Sequence, residues 1–591
     1  MSWFKSNKHF SWKIKSRSKE LIYFLRTSSA SYFLIFSILV GIGAGFGAIL
    51  FRWLIHQFHN LFFVGGENIL GLFGHYYIIF IPAIGGLIIG PLIYFFAREA
   101  RGHGVPEVIS SMVMDGGKIR FRVPLVKAIA SSICIGSGGS VGREGPIIQI
   151  GSAIGSAIGQ FFKLTEEKTK TLVACGAAAG IAATFNAPLG GIFFALEVIL
   201  REYGLRNFSS VVLSSVTATV ISRHFLGDHP AFQVPKFQLY SLLDIPFYFV
   251  LGILAALTAW LFIKALYKSE DIFNSLKIPE YIKPAMGGLI IGLIGLYFPQ
   301  IFGVGYEVIE NTINKGIAPG IIVSLVFLKI IATSVTLGSG GSGGIFAPSL
   351  FVGALLGEAF GELIHTIFPG IIVPPGAFAL VGMAAVFAGT SHAPISAILL
   401  LFEMTGNYKI LPPLMITCVI SVILVRWMTR YSIYTLKLLR KGIDIEQYKV
   451  VDFMESITVY EAMIHDVITV LNSNSVKNVG LKIKSTNHRG FPVLDKSGRL
   501  VGIVTRKDIN RALSNGEAET EVGKVMTKNM ILCFPDESLK TALHKMAEKN
   551  VGRLPVVKRE DREHIIGLIT RKSLMNAYNQ ALNSDKLYSG K

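Results

Sequence analysis

The sequence predicts an all-helical polytopic membrane domain made of two copies of one fold, followed by a soluble α/β domain. Three observations carry this: a composition suited to lipid, apolar runs interrupted by glycine and proline that recur 202 residues apart, and a change of character near residue 430.

Of 591 residues, 51% are hydrophobic and 16% charged, and the mean hydropathy is +0.53, values of a chain solvated mostly by lipid. Residues 1–30 form a basic tail with Lys or Arg at 5, 8, 13, 15, 17, 19 and 26 against one acid, Glu20. Tyr32 to Phe51 is then an uncharged run of spanning length, about 20 residues. No small-residue cleavage site closes it, so it reads as a first membrane helix rather than a signal peptide. Past Cys418 come Arg426, Arg430, Lys437, Arg440 and Lys441, and the positive-inside rule places both ends in the cytoplasm. The net charge of +19 sits largely beside membrane segments, so anionic lipid rather than nucleic acid is the expected partner. Cys134, Cys175, Cys418 and Cys533 are scattered without CxxC pairing and read as reduced core residues, neither a metal site nor a disulfide frame.

Run lengths within residues 31–440 do not suit single spans. The 40 residues between Glu362 and Glu403 carry no Asp, Glu, Lys or Arg but contain Pro369, Pro374, Pro375 and Pro394, so two tilted or broken helices are expected. Residues 171–196 repeat the theme, interrupted at Asn186 to Pro188.

The repetition is explicit. GSGGSVGREGPIIQIGSAIG (136–155) lies over GSGGSGGIFAPSLFVGALLG (338–357) at a shift of 202, and residues 175–197 lie over 381–403 at 206, bringing Pro188 onto Pro394 and Glu197 onto Glu403. Duplicated halves with interrupted helices at matching places point to a transport site at the repeat interface. In both copies a glycine-rich stretch leads to a proline and an apolar run, so GREGP and GGIFAP read as helix starts. A helix start offers free N–H groups and the positive end of the dipole, and flanking glycines admit an ion to the main chain. For one such motif, close helix packing is the simpler explanation; for a proline-registered pair, convergence on an anion is. Glu144 at such a start is a tethered anion: ionised, it occupies the ion's place; protonated, it vacates it. The competing reading is a structural ion pair, for which Arg143 is poorly placed because helix neighbours do not face each other.

GHGVPE (102–107), GREGP (142–146) and GGIFAP (343–348), with Tyr434, resemble the CLC family of chloride channels and chloride/proton antiporters over residues 30 to 440. The resemblance implies inverted repeats, a homodimer with one pore per subunit, and selectivity for chloride or similar small anions. By position, Glu144 matches the gating glutamate; His103, Gly104, Arg143 and Gly145 fall in the anion-binding motifs; Ile345 and Phe346 match backbone N–H donors; Tyr434 matches the hydroxyl at the inner side. Two departures stand out. His103 replaces the usual serine, so it is either an imidazole donor to the anion or a residue that merely caps a helix or faces the cytoplasm. Val198 replaces the proton-relaying glutamate of antiporters, which favours channel-like or uncoupled flux, with chloride/proton antiport as the alternative. Glu197 and Glu403, present in both copies, are expected to be structural.

Residues 441–591 contain a second repeat, GFPVLDKSGRLVGIVTRKD (490–508) and GRLPVVKREDREHIIGLITRKS (552–573), each strand, turn, strand and helix start. This resembles a pair of CBS domains, about 450–515 and 520–580. The resemblance implies an adenine-nucleotide site at Thr505, Asp508 and Thr570, with a dimerising scaffold as the alternative; no cofactor is required for transport. A divalent-cation transporter would need clustered carboxylates, and an intramembrane enzyme would need a catalytic constellation that the sequence does not present. The short basic N-terminus favours a plasma, inner-type membrane.

Overall fold

A computed structural model of the chain describes residues 30–70, 74, 76–202, 205–228, 232, 244–316, 319–369, 373–445, 454, 457–486 and 488–588. The basic residues at positions 5 to 26 lie outside them. The chain divides into two compact units, Met1–Ile443 and Asp444–Lys591, a few residues beyond the expected boundary.

In the first unit, α1 (Ala30–His59, prolonged by a π-helical turn and a short helix to Leu70) and α2 (Tyr77–Phe96) precede α3 (Val105–Met114), α4 (Arg122–Gly136), α5 (Glu144–Phe161) and α6 (Glu166–Phe185). After α7 (Pro188–Phe194, running into a π-helical turn Ala195–Leu200) and α8 (Leu205–Leu226), the pattern begins again. The second half comprises α9 (Ile245–Ser275), α10 (Lys283–Tyr297), α11 (Tyr306–Lys315), α12 (Pro319–Gly338), α13 (Phe346–Ile367), α14 (Pro375–Ser391), α15 (Pro394–Thr405) and α16 (Leu411–Met428), with α17 (Thr435–Arg440) closing the unit. Six helices among the described residues are long and apolar enough to cross a membrane, and shorter apolar helices fill the space between them. Apolar side chains such as Leu50, Phe95, Ile331 and Trp427 remain exposed, as a lipid-facing surface requires.

The halves match helix for helix. α1 packs on α8 as α9 packs on α16, α5 on α6 as α13 on α14, and the equivalent pairs α2–α10 and α7–α15 meet each other. Contacts between equivalent elements are what a two-fold relation gives, and the membrane unit is a pair of inverted repeats. The interrupted runs resolve as their prolines dictate. α6 ends at Asn186 in the left-handed region (φ 58°) and α7 starts at Pro188; α14 ends at His392 (φ 57°) and α15 starts at Pro394.

A break inside lipid strands the first N–H groups of the new helix, and each must find a partner within the protein. Each repeat supplies it to the other. Glu403 accepts from the N–H groups of Leu189 (3.0 Å) and Gly190 (2.8 Å) at the start of α7. Glu197 accepts from Ile395 (3.3 Å) and Ser396 (2.8 Å) and from the Ser396 hydroxyl (2.6 Å) at the start of α15. Two fully buried lysines, one in each repeat, satisfy carbonyls within their own repeat. Lys127 Nζ donates to the carbonyls of Ala100 (3.0 Å) and Gly102 (2.6 Å), and Lys329 Nζ to those of Ile301 and Gly303 (both 2.9 Å).

In the second unit α18 (Val459–Ala462), β1 (Val470–Leu471), α19 (Val476–Thr486), β2 (Gly490–Leu494), β3 (Leu500–Thr505), α20 (Arg506–Ser514) and α21 (Val522–Val525) precede α22 (Leu539–Glu548), β4 (Arg553–Val557), β5 (Ile565–Thr570) and α23 (Arg571–Tyr588). β2 lies between β1, parallel to it, and β3, antiparallel; β4 and β5 form an antiparallel pair. Each half has its own apolar core, around Val479, Phe491 and Val504 in one and Leu539, Met546 and Ile569 in the other.

Because the two glutamate caps satisfy N–H groups that lipid cannot, Glu197→Ala and Glu403→Ala are each expected to destabilise the protein by about 1–3 kcal/mol. Thermal unfolding in detergent checks this, and wild-type melting of both variants would show the caps to be dispensable.

Candidate functional site

Three glycine stretches meet at the centre of the first unit. Gly142 N–H donates to the Gly344 carbonyl (2.7 Å) and Gly344 N–H returns the bond to Gly142 (2.6 Å). Gly102 N–H donates to Gly341 (3.0 Å) and Gly343 N–H to Gly102 (3.3 Å). These bonds hold the starts of α3, α5 and α13 together, with Pro146 and Pro348 in the first turns of α5 and α13. No side chain fits between them: a Cβ on Gly145 would lie 2.0 Å from the His103 carbonyl oxygen, and one on Gly142 2.0 Å from Glu144 Oε2. The matched glycines further along have a different task. Gly151 sits against Gly176, and Gly353 against Gly382, where backbones of neighbouring helices touch, so packing accounts for them.

Glu144 is 1% exposed at the start of α5. Its Oε1 accepts from the Tyr306 hydroxyl (2.6 Å) and its Oε2 from the Ala347 N–H (3.4 Å) in the first turn of α13. The carboxylate of one repeat therefore lies across the helix start of the other, with a phenol and a main-chain N–H as partners rather than a basic side chain. Arg143 places its guanidinium carbon 5.1 Å from the Tyr306 ring centre, and its buried Nε has no hydrogen-bond partner among the described residues.

Ile345 caps α13 and Phe346 opens it; both are buried, and the Phe346 ring packs between Phe185 (4.9 Å) and Phe387 (4.2 Å). Their N–H groups precede the first helical hydrogen bonds. His103 immediately precedes Gly104, the cap of α3. It is 4% exposed, and neither ring nitrogen has a hydrogen-bond partner among the described residues. Its ring lies 5.9 Å from that of Tyr434, which is buried at the start of α17 with Phe194 at 6.4 Å on another side. A buried imidazole with both nitrogens unpaired is costly unless something polar visits it. Val198 is buried in the π-helical turn after α7, where its isopropyl group has no atom to hold a proton.

The sequence reading missed Tyr306, Lys127 and Lys329. Their signal was present: Gly102-His103-Gly104 is answered at a shift of 201 by Gly303-Val304-Gly305, and Lys127 by Lys329 at 202. Gly104 and Gly305 cap α3 and α11 with nearly equal positive φ, 81° and 83°.

In the second unit, Thr505 and Asp508 form a capping box at the start of α20: Asp508 Oδ2 accepts from the Thr505 N–H (3.0 Å) and hydroxyl (2.7 Å), and the Asp508 N–H donates to Thr505 Oγ1 (3.4 Å). Thr570 and Ser573 repeat the device at α23. Thr505 also lines an open cavity of about 470 Å³ with Arg489, Arg506, Lys507, Asn510 and Arg553, while Asp508 and Thr570 do not. Burial, and then the neighbouring Arg489 charge, lower the Arg553 pKa from its ordinary value.

Residues 85–426 match the family model described as voltage gated chloride channel, and residues 459–515 and 522–580 each match that of the CBS domain. The chain is 28% identical to chloride channel protein CLC-f of Arabidopsis thaliana, over 92% of this chain and 80% of that one. It is 37% identical to the H(+)/Cl(-) exchange transporter ClcA of Vibrio cholerae serotype O1, over 58% of this chain and 75% of the relative. A slow cyanobacterial Cl-/H+ antiporter of known structure superposes with a TM-score of 0.65 at 28% identity, covering 70% of this chain and 99% of the other.

Proposed function

Since this chain belongs to the voltage-gated chloride channel, or CLC, family and carries a CBS-domain pair, we propose that it passes chloride or a similar small anion between its two repeats, gated by Glu144. One observation carries the reading: the Glu144 carboxylate accepts the Ala347 N–H of α13, occupying the kind of donor an anion would use. Ile345 and Phe346 supply further N–H groups, Gly104 and Gly145 keep the main chain approachable, and the nitrogens of His103 and Arg143 that lack hydrogen-bond partners among the described residues offer further donors. Tyr434 closes the inner end. Binding mainly by N–H dipoles, with one imidazole and one guanidinium beside them, is weak enough for release, which conduction needs.

Val198 supports flux without obligatory proton coupling, because the position expected to relay protons is aliphatic. A second reading, chloride/proton exchange, is favoured by the names of the ClcA relatives and of the cyanobacterial neighbour. Two copies assemble, each with its own pore, in a plasma-type membrane, with the CBS pair in the cytoplasm. There the cavity around Arg489, Arg506, Lys507 and Arg553 receives the phosphates of an adenine nucleotide. An anion beside Arg553 relieves the cost of its burial next to Arg489.

A carboxylate gate gives the sign of the pH response: protonation as pH falls removes the competing anion, so flux rises toward acid pH. Glu144→Gln is expected to make chloride efflux from liposomes high and nearly independent of pH, and a wild-type pH profile in that variant would remove Glu144 from the gate. With internal pH recorded alongside chloride, a chloride gradient is expected to move no protons uphill; uphill proton movement would establish exchange despite Val198. Equilibrium dialysis of the full-length protein in detergent is expected to detect ATP or AMP at millimolar nucleotide, with at least tenfold weaker binding after Arg553→Ala, and absence of binding in the parent would leave the tail as a scaffold.

A further inference from the structure

Tyr306 opens α11, the second repeat's answer to α3, and none of the motifs gives it a task. Its surroundings do. The hydroxyl donates to Glu144 Oε1 at 2.6 Å, Arg143 lies 5.1 Å over the ring, and Phe232 meets the ring edge-on at 5.5 Å. Backbone geometry fixes where the ring starts: Gly305, in the left-handed region at φ 83°, turns the chain into α11 immediately before it. The phenol thus reaches the carboxylate from a helix belonging to the other repeat, 162 residues away in sequence.

We propose that Tyr306 is the latch of the gate, a positioning residue whose hydroxyl holds the Glu144 carboxylate against the start of α13 and must let go before an anion passes. The proposal rests on Glu144 being the gate. A phenol O–H donates strongly to a carboxylate and weakly to a neutral carboxyl group. The latch therefore favours the ionised, closed gate, and a proton arriving on Glu144 both discharges the plug and loosens what holds it. The other charged or titratable groups around the carboxylate are Arg143 at its own helix start, Arg52 of α1, which lies within electrostatic reach of Arg143 and Tyr306, and Tyr434 at the start of α17. α13 contributes main-chain N–H only, and Glu307, next to Tyr306, acts on His59 of α1. Among the described residues Tyr306 is the one side chain hydrogen-bonded to Glu144.

Tyr306→Phe removes the hydroxyl and leaves the ring between Arg143 and Phe232. In reconstituted liposomes the midpoint of acid activation of chloride efflux is expected to move up by about one pH unit, the scale of a hydrogen bond to a charged group, with flux at neutral pH rising several-fold. In a Glu144→Ala background, where there is nothing to latch, the same substitution is expected to leave efflux unchanged. 3-Fluorotyrosine placed at position 306, a stronger donor, is expected to move the midpoint down. It also serves as the test should the phenylalanine variant not fold. A role in packing alone would alter both backgrounds alike and would not give opposite shifts. Flat pH dependence in Glu144→Ala together with unshifted midpoints at position 306 overturns the latch and leaves the gate standing. Persistent pH dependence in Glu144→Ala overturns both.

Discussion

Two helices that begin end to end inside a bilayer must satisfy their preceding loops without water, and here the loops satisfy each other. The reciprocal N–H to carbonyl pairs between Gly142 and Gly344 are the contact on which the rest depends. They need bare backbone on both sides, which accounts for the glycines. They also absorb the loop donors and acceptors, so that the polar groups left over are the first-turn N–H groups of α5 and α13. Proline in each first turn removes one donor that would have needed a partner. What faces the centre is thereby narrowed to a few oriented dipoles, with the Glu144 carboxylate lying across them.

The cations near this path are mostly engaged elsewhere. Lys127 and Lys329, both fully buried, direct their ammonium groups to carbonyls that flank the glycine turns. Lys437 pairs with Glu270 and Lys441 with Glu107. The helix starts around Glu144 accordingly present partial charges more than full ones. At position 103 an imidazole stands where the family usually has the smaller serine, and its ring sits beside that of Tyr434.

How much of this the sequence disclosed follows from the range of each interaction. Proline and glycine act on their own backbone, so the starts of α5 and α13 and the breaks at Asn186 and His392 were legible, as was the structural part played by Glu197 and Glu403, because duplication sets matching residues side by side. The partnership of Tyr306 with Glu144 was not, since it joins different repeats and no local periodicity encodes a single tertiary hydrogen bond. The tail shows the same division. Its two strand–turn–strand copies and the helix starts that follow them were visible, whereas the gathering of Arg489 with Arg553 depends on how the halves of that unit pack. Asp508, expected beside a nucleotide, has one carboxylate oxygen occupied by its helix cap.

The exchange of caps between α7 and α15 also has a consequence in time. The N–H groups of Leu189 and Gly190 wait for a carboxylate that lies 213 or more residues further along the chain. At about 5–20 residues per second of synthesis, that interval is on the order of ten to forty seconds. Throughout it the first repeat is a finished sequence with an unfinished helix end. It is obliged to remain loose, or sheltered at the site of insertion, until its twin arrives, so the ribosome's pace is part of how this fold is reached.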